Sequence, residues 1–258
     1  MCYNTDMKIF AISDLHLSTA VEKPMDIFGD GWQNHFDKIR ENWEENVSAE
    51  DIVLLGGDMS WGSTMDEASP DYALVDKLKG QKFVVKGNHD FYWNSLSKMR
   101  ARFENFTFIQ NNAFRVENRS TDETEPCDNC SNSKQKHAGI VIAGTRGWTI
   151  PSKDSDENTK RIYSRELVRL KLSLEQAKNI KQDGDLLIAL LHYPPFEADY
   201  ADTDFTKILE EYGVDFALYG HLHGKNVRIT PRLKKNGVEY VLTSCDLINN
   251  RLVKVCEI

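Results

Sequence analysis

Short runs of aliphatic and β-branched residues recur along the chain, and each ends abruptly at glycine, aspartate, asparagine or histidine. Runs that are this short and almost wholly apolar are typical of strands buried on both faces of a sheet. We therefore predict seven strands, at Lys8–Ile12, Ile52–Leu55, Phe83–Val85, Ile140–Ala143, Leu186–Leu191, Phe216–Tyr219 and Val238–Leu242.

Between these runs the apolar residues follow a helical period. The clearest set lies on one helix face because its spacings are four, three, four and three residues: Tyr163, Leu167, Leu170, Leu174 and Ala177. Further helices are predicted at Trp32–Asn46, Tyr72–Leu78, Tyr92–Arg102 and Asp204–Tyr212. Strands that alternate with helices are typical of a layered α/β domain.

The segment from Glu117 to His137 interrupts this alternation because it has almost no aliphatic side chains. We expect an exposed insertion within a single domain that spans residues 1–258. Cys127 and Cys130 form a C-x-x-C pair there, but a zinc site needs two more ligands and only His137 is near. We interpret the pair as exposed thiols without a role; a zinc or redox switch is the weaker alternative.

Composition narrows the function classes. The chain has 258 residues, 40% of them hydrophobic, and a net charge of −8, so a general nucleic-acid coat protein is disfavoured, although a small nucleotide is not. The longest apolar run, Leu186–Leu191, is too short for a membrane span. Five cysteines without a regular framework and no visible signal peptide favour a cytoplasmic protein.

Five of the seven histidines follow predicted strands directly or lie in the turns behind them. Residues just beyond the strand ends of an open α/β sheet converge on one crevice. The fragments at these ends are Asp14-Leu15-His16, Gly57-Asp58, Gly87-Asn88-His89-Asp90, His192-Tyr193-Pro194-Pro195 and Gly220-His221-Leu222-His223-Gly224. Each fragment alone is weak evidence, but five together favour a shared metal site.

Seven side chains in these fragments are candidate metal ligands: Asp14, His16, Asp58, Asn88, His192, His221 and His223. They are too many for one tetrahedral ion and suit two ions about 3.5–4 Å apart with a bridging carboxylate. Only two of the seven carry a charge, so two divalent ions would leave a positive centre suited to an anionic substrate such as phosphate. Imidazole and oxygen ligands without thiolate favour Mn, Fe, Zn, Co or Ni over Ca or Mg, and we expect Mn to serve in vitro.

The ordered set D-x-H, G-D, G-N-H-D, H and G-H-x-H resembles the calcineurin-like metallophosphoesterase superfamily from about Lys8 to about Asp246. The resemblance implies a four-layer αββα sandwich with two central mixed β-sheets and a dinuclear metal centre at the strand ends. It implies that one ion is held by Asp14, His16 and His223, the other by Asn88, His192 and His221, with Asp58 between them. It also implies that a metal-bridging hydroxide attacks phosphorus.

Three further residues receive roles beside this ligand set. The resemblance makes His89 the general acid or a cation that stabilises the transition state. Asp90 is expected to orient the ring of His89, to cap the helix that follows, or both. Arg146 follows the strand Ile140–Ala143, where its guanidinium either binds a substrate phosphate or carboxylate or forms a surface ion pair.

Departures from two known branches limit the resemblance. Serine/threonine phosphatases carry G-D-x-x-D-R-G, whereas Met59-Ser60-Trp61-Gly62 follows Asp58, and the pyrophosphohydrolases of the lipid A pathway have arginine where His89 stands. GDMSWG, GNHDFYW and GTRGW resemble instead a group of predicted phosphohydrolases. The sequence hypothesis is a metal-dependent phosphohydrolase that cleaves a phosphomonoester or phosphodiester of a small molecule. The alternative is a catalytically silent, metal-stabilised protein-interaction scaffold.

Overall fold

Two β-sheets lie face to face in the computed structural model, which describes residues 6–118, 137–197 and 199–258. In chain order the elements are β1 (Lys8–Ile12), α1 (His35–Asn46), β2 (Ile52–Leu55), α2 (Met65–Asp76), β3 (Gln81–Val85), α3 (Leu96–Arg102), β4 (Phe106–Ile109), β5 (Phe114–Glu117), β6 (Gly139–Thr145), α4 (Glu157–Ile180), β7 (Leu186–Leu191), α5 (Asp204–Glu211), β8 (Phe216–Tyr219), β9 (Arg232–Lys235), β10 (Val238–Leu242) and β11 (Val253–Glu257). Short 3-10 helices lie at Met25–Phe28 and Asp30–Trp32.

Both sheets are mixed. The first has the strand order β11-β1-β2-β3-β4, and the second has the order β5-β6-β7-β8-β10-β9. The inner strands of each sheet pair in parallel, whereas β11, β5 and β9 pair antiparallel at the edges. Parallel inner strands place their carboxyl ends along one edge, which is where the chemistry-bearing fragments follow.

Alternation of side chains along the buried strands produces four layers. Along β1, Ile9 and Ala11 belong to the core between the two sheets, whereas Phe10 and Ile12 pack in a second core with Trp43 of α1. Strand β7 alternates in the same way between the central core and a third core that contains the apolar face of α4. Both faces of each sheet are therefore covered, which confirms the predicted αββα sandwich.

All seven predicted strands are present, but four others were not predicted: β4, β5, β9 and β11. Of these, β5, β9 and β11 are edge strands with charged, partly exposed residues, so they lack the apolar runs that mark inner strands. Two helix starts were also wrong. The second helix begins at Met65 behind a capping box of Thr64 and Glu67, and the third begins at Leu96 behind Ser95.

Two further expectations concern the polar insertion and membrane-spanning segments. Cys127 and Cys130, with most of the predicted insertion, lie outside the described residues. Among the helices that the structure describes, none combines the length and hydrophobicity needed to cross a bilayer.

Candidate metal centre

The backbone turns sharply where the candidate ligands leave the strands. Four of them have positive φ angles: Asp14 (61°), His16 (45°), Asp58 (52°) and His221 (68°). Residues other than glycine rarely adopt this region, and they cluster at functional sites when the surroundings enforce it. Hydrogen bonds from Asp14 N to Gly57 O and from His16 N to Asp58 O, both 2.9 Å, tie the turns after β1 and β2 together.

Two glycines allow neighbouring turns to approach the ligand carboxylates. A Cβ on Gly87 would lie 2.0 Å from Asp58 Oδ1, and one on Gly220 would lie 2.4 Å from Asp14 Oδ2. No side chain fits at such distances. Glycine at these positions therefore lets the turn after β3 reach Asp58 and the turn after β8 reach Asp14.

Asp14, His16 and His223 form a first cluster whose ligand atoms could share a metal ion. His223 Nε2 lies 3.1 Å from Asp14 Oδ1, and His16 Nε2 lies 4.0 Å from the same oxygen. His16 and Asp14 are buried. His16 Nδ1 is buried as well and has no hydrogen-bond partner among the described residues.

Asp14, Asp58 and His192 form a second cluster, so Asp14 belongs to both. His192 Nδ1 lies 2.9 Å from the carbonyl oxygen of Gly56, which can only accept, so the hydrogen resides on Nδ1 and the lone pair on Nε2. That Nε2 lies 3.5 Å from Asp58 Oδ2 and 2.6 Å from Asn88 Oδ1. Three electron-pair donors therefore face one another, an arrangement that a cation would stabilise.

Asp58 also reaches the first cluster, and His221 completes the set. Asp58 Oδ2 lies 3.7 Å from His16 Nε2. The His221 ring centroid lies 5.1 Å from that of His192 and 4.0 Å from that of Tyr193, and its backbone N–H donates to Asp14 Oδ2. All seven predicted ligands thus lie in one crevice, although His221 is placed there by ring contacts rather than by a short contact of its ligand atoms.

Electrostatics keep three of the four imidazoles neutral, the form that binds metals. Burial lowers the pKa of His16 to about 3 and that of His221 to about 4, and it also lowers the pKa of His192. His223 differs. Burial lowers its pKa, but hydrogen bonds to Asp14 and Asp246 outweigh this and raise the pKa to about 10.

The two carboxylates respond in opposite directions. Burial acts to raise the pKa of Asp14, yet the neighbouring His223 outweighs it and holds that pKa well below its usual range. Burial and then the charges of Asp90 and Asp14 raise the pKa of Asp58 well above its usual value. In the absence of metal, the raised pKa values favour protonation of His223 and Asp58, which limits the buried negative charge. Divalent cations would take over that function, so the donor set fits a metal-binding site.

Asp246 is a site residue that the sequence analysis missed. Its Oδ1 lies 2.8 Å from His223 Nδ1, and its Oδ2 accepts from Gly224 N at 2.9 Å. A carboxylate behind a ligating histidine fixes the ring so that the other nitrogen faces the metal. The available signal was positional, because Asp246 follows the end of β10 as the other site residues follow their strands.

His89 lies beside two of these ligands, Asp58 and His16. Its backbone N–H donates to Asp58 Oδ1 at 2.7 Å, and its half-buried ring lies 4.5 Å from that of Trp61 and 5.5 Å from that of His16. Burial, followed by the nearby His192, lowers the pKa of His89. A neutral imidazole still carries one N–H that can donate to a phosphoryl or leaving oxygen.

The Asp90 carboxylate contacts backbone N–H groups of other residues and does not contact the ring of His89. Its two oxygens accept from the backbone N–H groups of Asp58, Met59 and Gly87 and from the hydroxyl of Tyr92, at 2.7–3.0 Å. It does not cap a helix, because the next helix begins at Leu96 with Ser95 as its N-cap. Asp90 instead fixes the turns after β2 and β3 relative to each other.

The side chain of Arg146 is mostly buried and lies near both a carboxylate and an aromatic ring. Its side chain is 16% exposed, and its guanidinium lies 3.8 Å from Glu166 and 4.5 Å above the ring of Trp148. Its backbone oxygen accepts from His192 N at 3.1 Å. The expected surface ion pair is therefore replaced by a mostly buried one beside the crevice.

The chain matches a sequence family and a curated relative. A sequence model described as calcineurin-like phosphoesterase matches residues 7–225. The Gene 66 protein of Mycobacterium phage D29 is 31% identical in an alignment that covers 35% of this chain and 51% of that protein. The chain thus spans about half the length of this curated relative.

Solved structures share the fold at low identity. Phosphopantetheinyl hydrolase from Mycobacterium tuberculosis gives a TM-score of 0.54 at 13% identity, covering 97% of this chain and 96% of that one. TT1561 of Thermus thermophilus gives 0.56 at 12% identity, with 96% and 98% covered. GAP50, the anchor in the inner membrane complex of Plasmodium, gives 0.54 at 14% identity, with 94% and 72% covered. At these identities the likeness shows the fold alone.

Proposed function

Because the chain belongs to the calcineurin-like phosphoesterase family, we propose that it is a phosphohydrolase with a dinuclear metal centre that cleaves a phosphoester of a small molecule. The observation that carries this proposal is the meeting of two ligand clusters at Asp14, with Asp58 within reach of both. Carboxylate, amide and imidazole groups face one another in this space, and each offers an electron pair to a cation once His223 has lost its proton. Cations are the natural occupants of such a space.

The first cluster corresponds to one proposed ion, and His192 and Asp58 of the second cluster contribute to the other. The first ion would be held by Asp14, His16 and His223, the second by Asn88, His192 and His221, and Asp58 would contact both. Two divalent ions supply charge neutralisation at the phosphoryl oxygens and a hydroxide nucleophile at neutral pH. Mn²⁺ is the ion with which we expect activity in vitro, since the donor set contains oxygen and imidazole but no thiolate.

The surrounding residues orient this set and handle the leaving group. Asp246 holds the ring of His223 and Gly56 O holds that of His192, so neither ring has to reorganise on binding. His89 is attached through its backbone to Asp58, and we assign its ring to donate a hydrogen to the leaving oxygen. Asp90 is a positioning residue, because it acts on Asp58 and on the turn that carries His89.

The fold by itself does not decide between an enzyme and a scaffold. Its structural neighbours include a phosphopantetheinyl hydrolase and an anchor protein, so one architecture serves both kinds of task. This chain combines seven candidate ligands with His89 in one crevice, which supports catalysis. The non-catalytic scaffold is kept as an outcome of the test.

The test compares p-nitrophenyl phosphate with bis(p-nitrophenyl) phosphate, using protein stripped of metal and reloaded with Mn²⁺. We expect Mn²⁺-dependent hydrolysis of at least one substrate, and the preferred one identifies a phosphatase or a phosphodiesterase. His89→Ala should lower kcat by about 10²–10⁴-fold, the usual contribution of a general acid, while metal content stays unchanged. His137→Ala is the matched control, because the His137 ring contacts Gly184 O away from the crevice.

The proposal fails if neither ester is hydrolysed when metal analysis finds two ions bound. That result would favour the scaffold. If His89→Ala instead retains full kcat, the hydrolase assignment survives but the role of His89 is wrong.

A further inference from the structure

A cavity of about 220 Å³ lies beside the metal centre, at the carboxyl ends of β3, β4 and β6 and against α4. Four cationic side chains line it: Lys86, Arg146, Arg165 and Arg169. Among the described residues that line it, Glu166 is the one carboxylate. This concentration of positive charge contrasts with the net charge of −8 for the whole chain.

The single carboxylate of Glu166 cannot neutralise the charge of four cationic side chains. Its Oε2 accepts from Thr145 Oγ1 at 2.6 Å. Its Oε1 is shared by three guanidinium groups, those of Arg169 at 2.8 Å, Arg165 at 3.2 Å and Arg146 at 3.8 Å. Lys86 donates to the backbone oxygen of Trp93 at 2.8 Å, and no described carboxylate forms an ion pair with it. The pocket therefore keeps an excess of positive charge.

Arg146 and Lys86 also lack much of the solvent that would normally stabilise such charges. Arg146 Nε is buried and has no hydrogen-bond partner among the described residues. Lys86 is partly buried as well. Crowded, partly desolvated cations around an open cavity are the arrangement that binds phosphate, since guanidinium groups match phosphate oxygens bidentately.

Several contacts connect the pocket to the metal crevice. Lys86 lies two positions before Asn88, and Arg146 O accepts from the backbone N–H groups of His192 and Tyr193 at 3.1 and 2.9 Å. The Trp148 ring under Arg146 lies 5.2 Å from that of Tyr193, which in turn lies 4.0 Å from that of His221. The pocket and the proposed metal site are therefore neighbours in the fold, which is the placement that a substrate with two phosphoryl groups requires.

We propose that this four-cation pocket binds a second phosphoryl group of the substrate. The substrate class is then a small molecule that carries a phosphate or diphosphate in addition to the phosphorus under attack. The choice of substrate rests on the proposed hydrolase function, whereas binding of the anion does not. The competing explanation is that the cations serve only to fix the buried Glu166.

The first test measures binding of inorganic diphosphate to metal-free protein by isothermal titration calorimetry. Metal removal separates this pocket from the metal centre, because diphosphate then has no ions to coordinate. We expect binding that weakens as salt increases. Lys86→Met and Arg165→Gln should each raise the dissociation constant about tenfold, the effect expected for loss of one charge-assisted contact.

Arg161→Gln is the matched control, because Arg161 is an exposed arginine one turn earlier on α4 that contacts Asn158. It should leave the dissociation constant unchanged. Lys86→Met removes a cation without touching Glu166, so it keeps the test valid if Arg165→Gln disturbs folding. Absence of diphosphate binding, or binding that both variants leave intact, overturns the proposal and leaves the cations as partners of Glu166.

A second measurement connects the pocket to catalysis. Adenosine 3′,5′-bisphosphate and adenosine 5′-monophosphate differ only in a second phosphoryl group. We expect the Mn²⁺-loaded protein to show at least about a tenfold higher kcat/KM for the bisphosphate, and Arg165→Gln to reduce that ratio. An equal kcat/KM for the two nucleotides contradicts the substrate class. If neither nucleotide is hydrolysed, the substrate class is contradicted, while the p-nitrophenyl esters still decide the hydrolase function and the diphosphate titration still decides the pocket.

Discussion

At the scale of single residues, two histidines of the candidate metal centre each have one ring nitrogen held by a hydrogen-bond partner. The other ring nitrogen then faces the proposed metal site. Asp246 holds His223 Nδ1, and Gly56 O holds His192 Nδ1. In both rings the remaining Nε2 faces an aspartate of the clusters. The cost of ordering these rings is met during folding, so metal binding requires little reorganisation.

Asp246→Ala tests this arrangement at His223. Without its carboxylate partner the ring can rotate and change tautomer, so we expect metal affinity to fall about 10–100-fold. The measurement is titration of stripped protein with Mn²⁺, followed by direct metal analysis. Asp183→Ala, which removes an exposed carboxylate, should bind metal like the unmodified protein. Equal affinities for the two variants would show that Asp246 does not orient the ligand.

Gly220→Ala tests the close approach of the turn after β8. The added Cβ would lie 2.2 Å from Ser13 Oγ and 2.4 Å from Asp14 Oδ2, so the turn must move. We expect a loss of about 1–3 kcal/mol in the free energy of unfolding, as for other overpacked sites, together with weaker metal binding. Gly31→Ala is the control, because a Cβ there meets nothing within 4 Å. Denaturant unfolding and metal titration of both variants check the prediction, which fails if they behave alike.

The candidate ligands could be predicted from sequence because each is a metal-competent residue placed just behind an apolar run. Asp246 was missed because a lone aspartate after a strand carries no distinctive pattern. The contacts of Asp90 were predicted wrongly for a related reason. Its partners are backbone N–H groups of a turn about 30 positions earlier, which no local spacing can indicate.

At the scale of elements, the turns after β2 and β3 behave as one unit. Asp90, on the second turn, accepts hydrogen bonds from Asp58 and Met59 on the first. In return, Asp58 Oδ1 accepts from His89 N. This reciprocal pairing fixes a ligand and the proposed general acid relative to each other, without any contact between their side chains.

Asp90→Asn should loosen this unit. The amide places a donor where backbone donors already point, so at least one buried N–H loses its partner at a cost of about 1–3 kcal/mol. Tyr92→Phe removes a single donor to Asp90 and should cost about 1 kcal/mol. Measuring the free energy of unfolding of each variant shows which of the two loses more stability. We also expect Asp90→Asn to lower kcat more than Tyr92→Phe does, and the reverse order would contradict a positioning role.

The same scale explains which elements could be predicted. Inner strands such as β2 and β7 are buried on both faces and appear as apolar runs. Edge strand β9 has the sequence RLKK, which no strand pattern distinguishes from a charged loop. The start of α2 was not predicted because Pro70 lies inside the helix, where proline usually marks a helix boundary. The Thr64–Glu67 capping box was the signal that indicates the true start.

At the scale of the whole molecule, the candidate centre joins the two sheets. Asp14, His16, Asp58 and Asn88 follow strands of the first sheet, whereas His192, His221 and His223 follow strands of the second. Direct hydrogen bonds already cross between them, including His192 Nδ1 to Gly56 O and His221 N to Asp14 Oδ2. An ion bound by ligands from both sheets would add a cross-link that the unfolded chain lacks.

Metal binding should therefore stabilise the entire fold rather than only the turns. A ligand that binds only the native state adds about 2.7 kcal/mol to the free energy of unfolding at a concentration of 100 times its Kd. We expect the Tm of stripped protein to rise with Mn²⁺ concentration in one cooperative transition.

His192→Ala removes a side chain of the second sheet that faces Asp58, so this variant should lose most of the rise in Tm. His137→Ala changes a residue outside the crevice and should keep the rise. Because His192 is buried, the metal-free variant will already melt lower, so the comparison is between the increments that Mn²⁺ produces in each protein. Equal increments in the two variants would mean that the stabilising ion is bound without His192, and the cross-link through His192 would then be wrong.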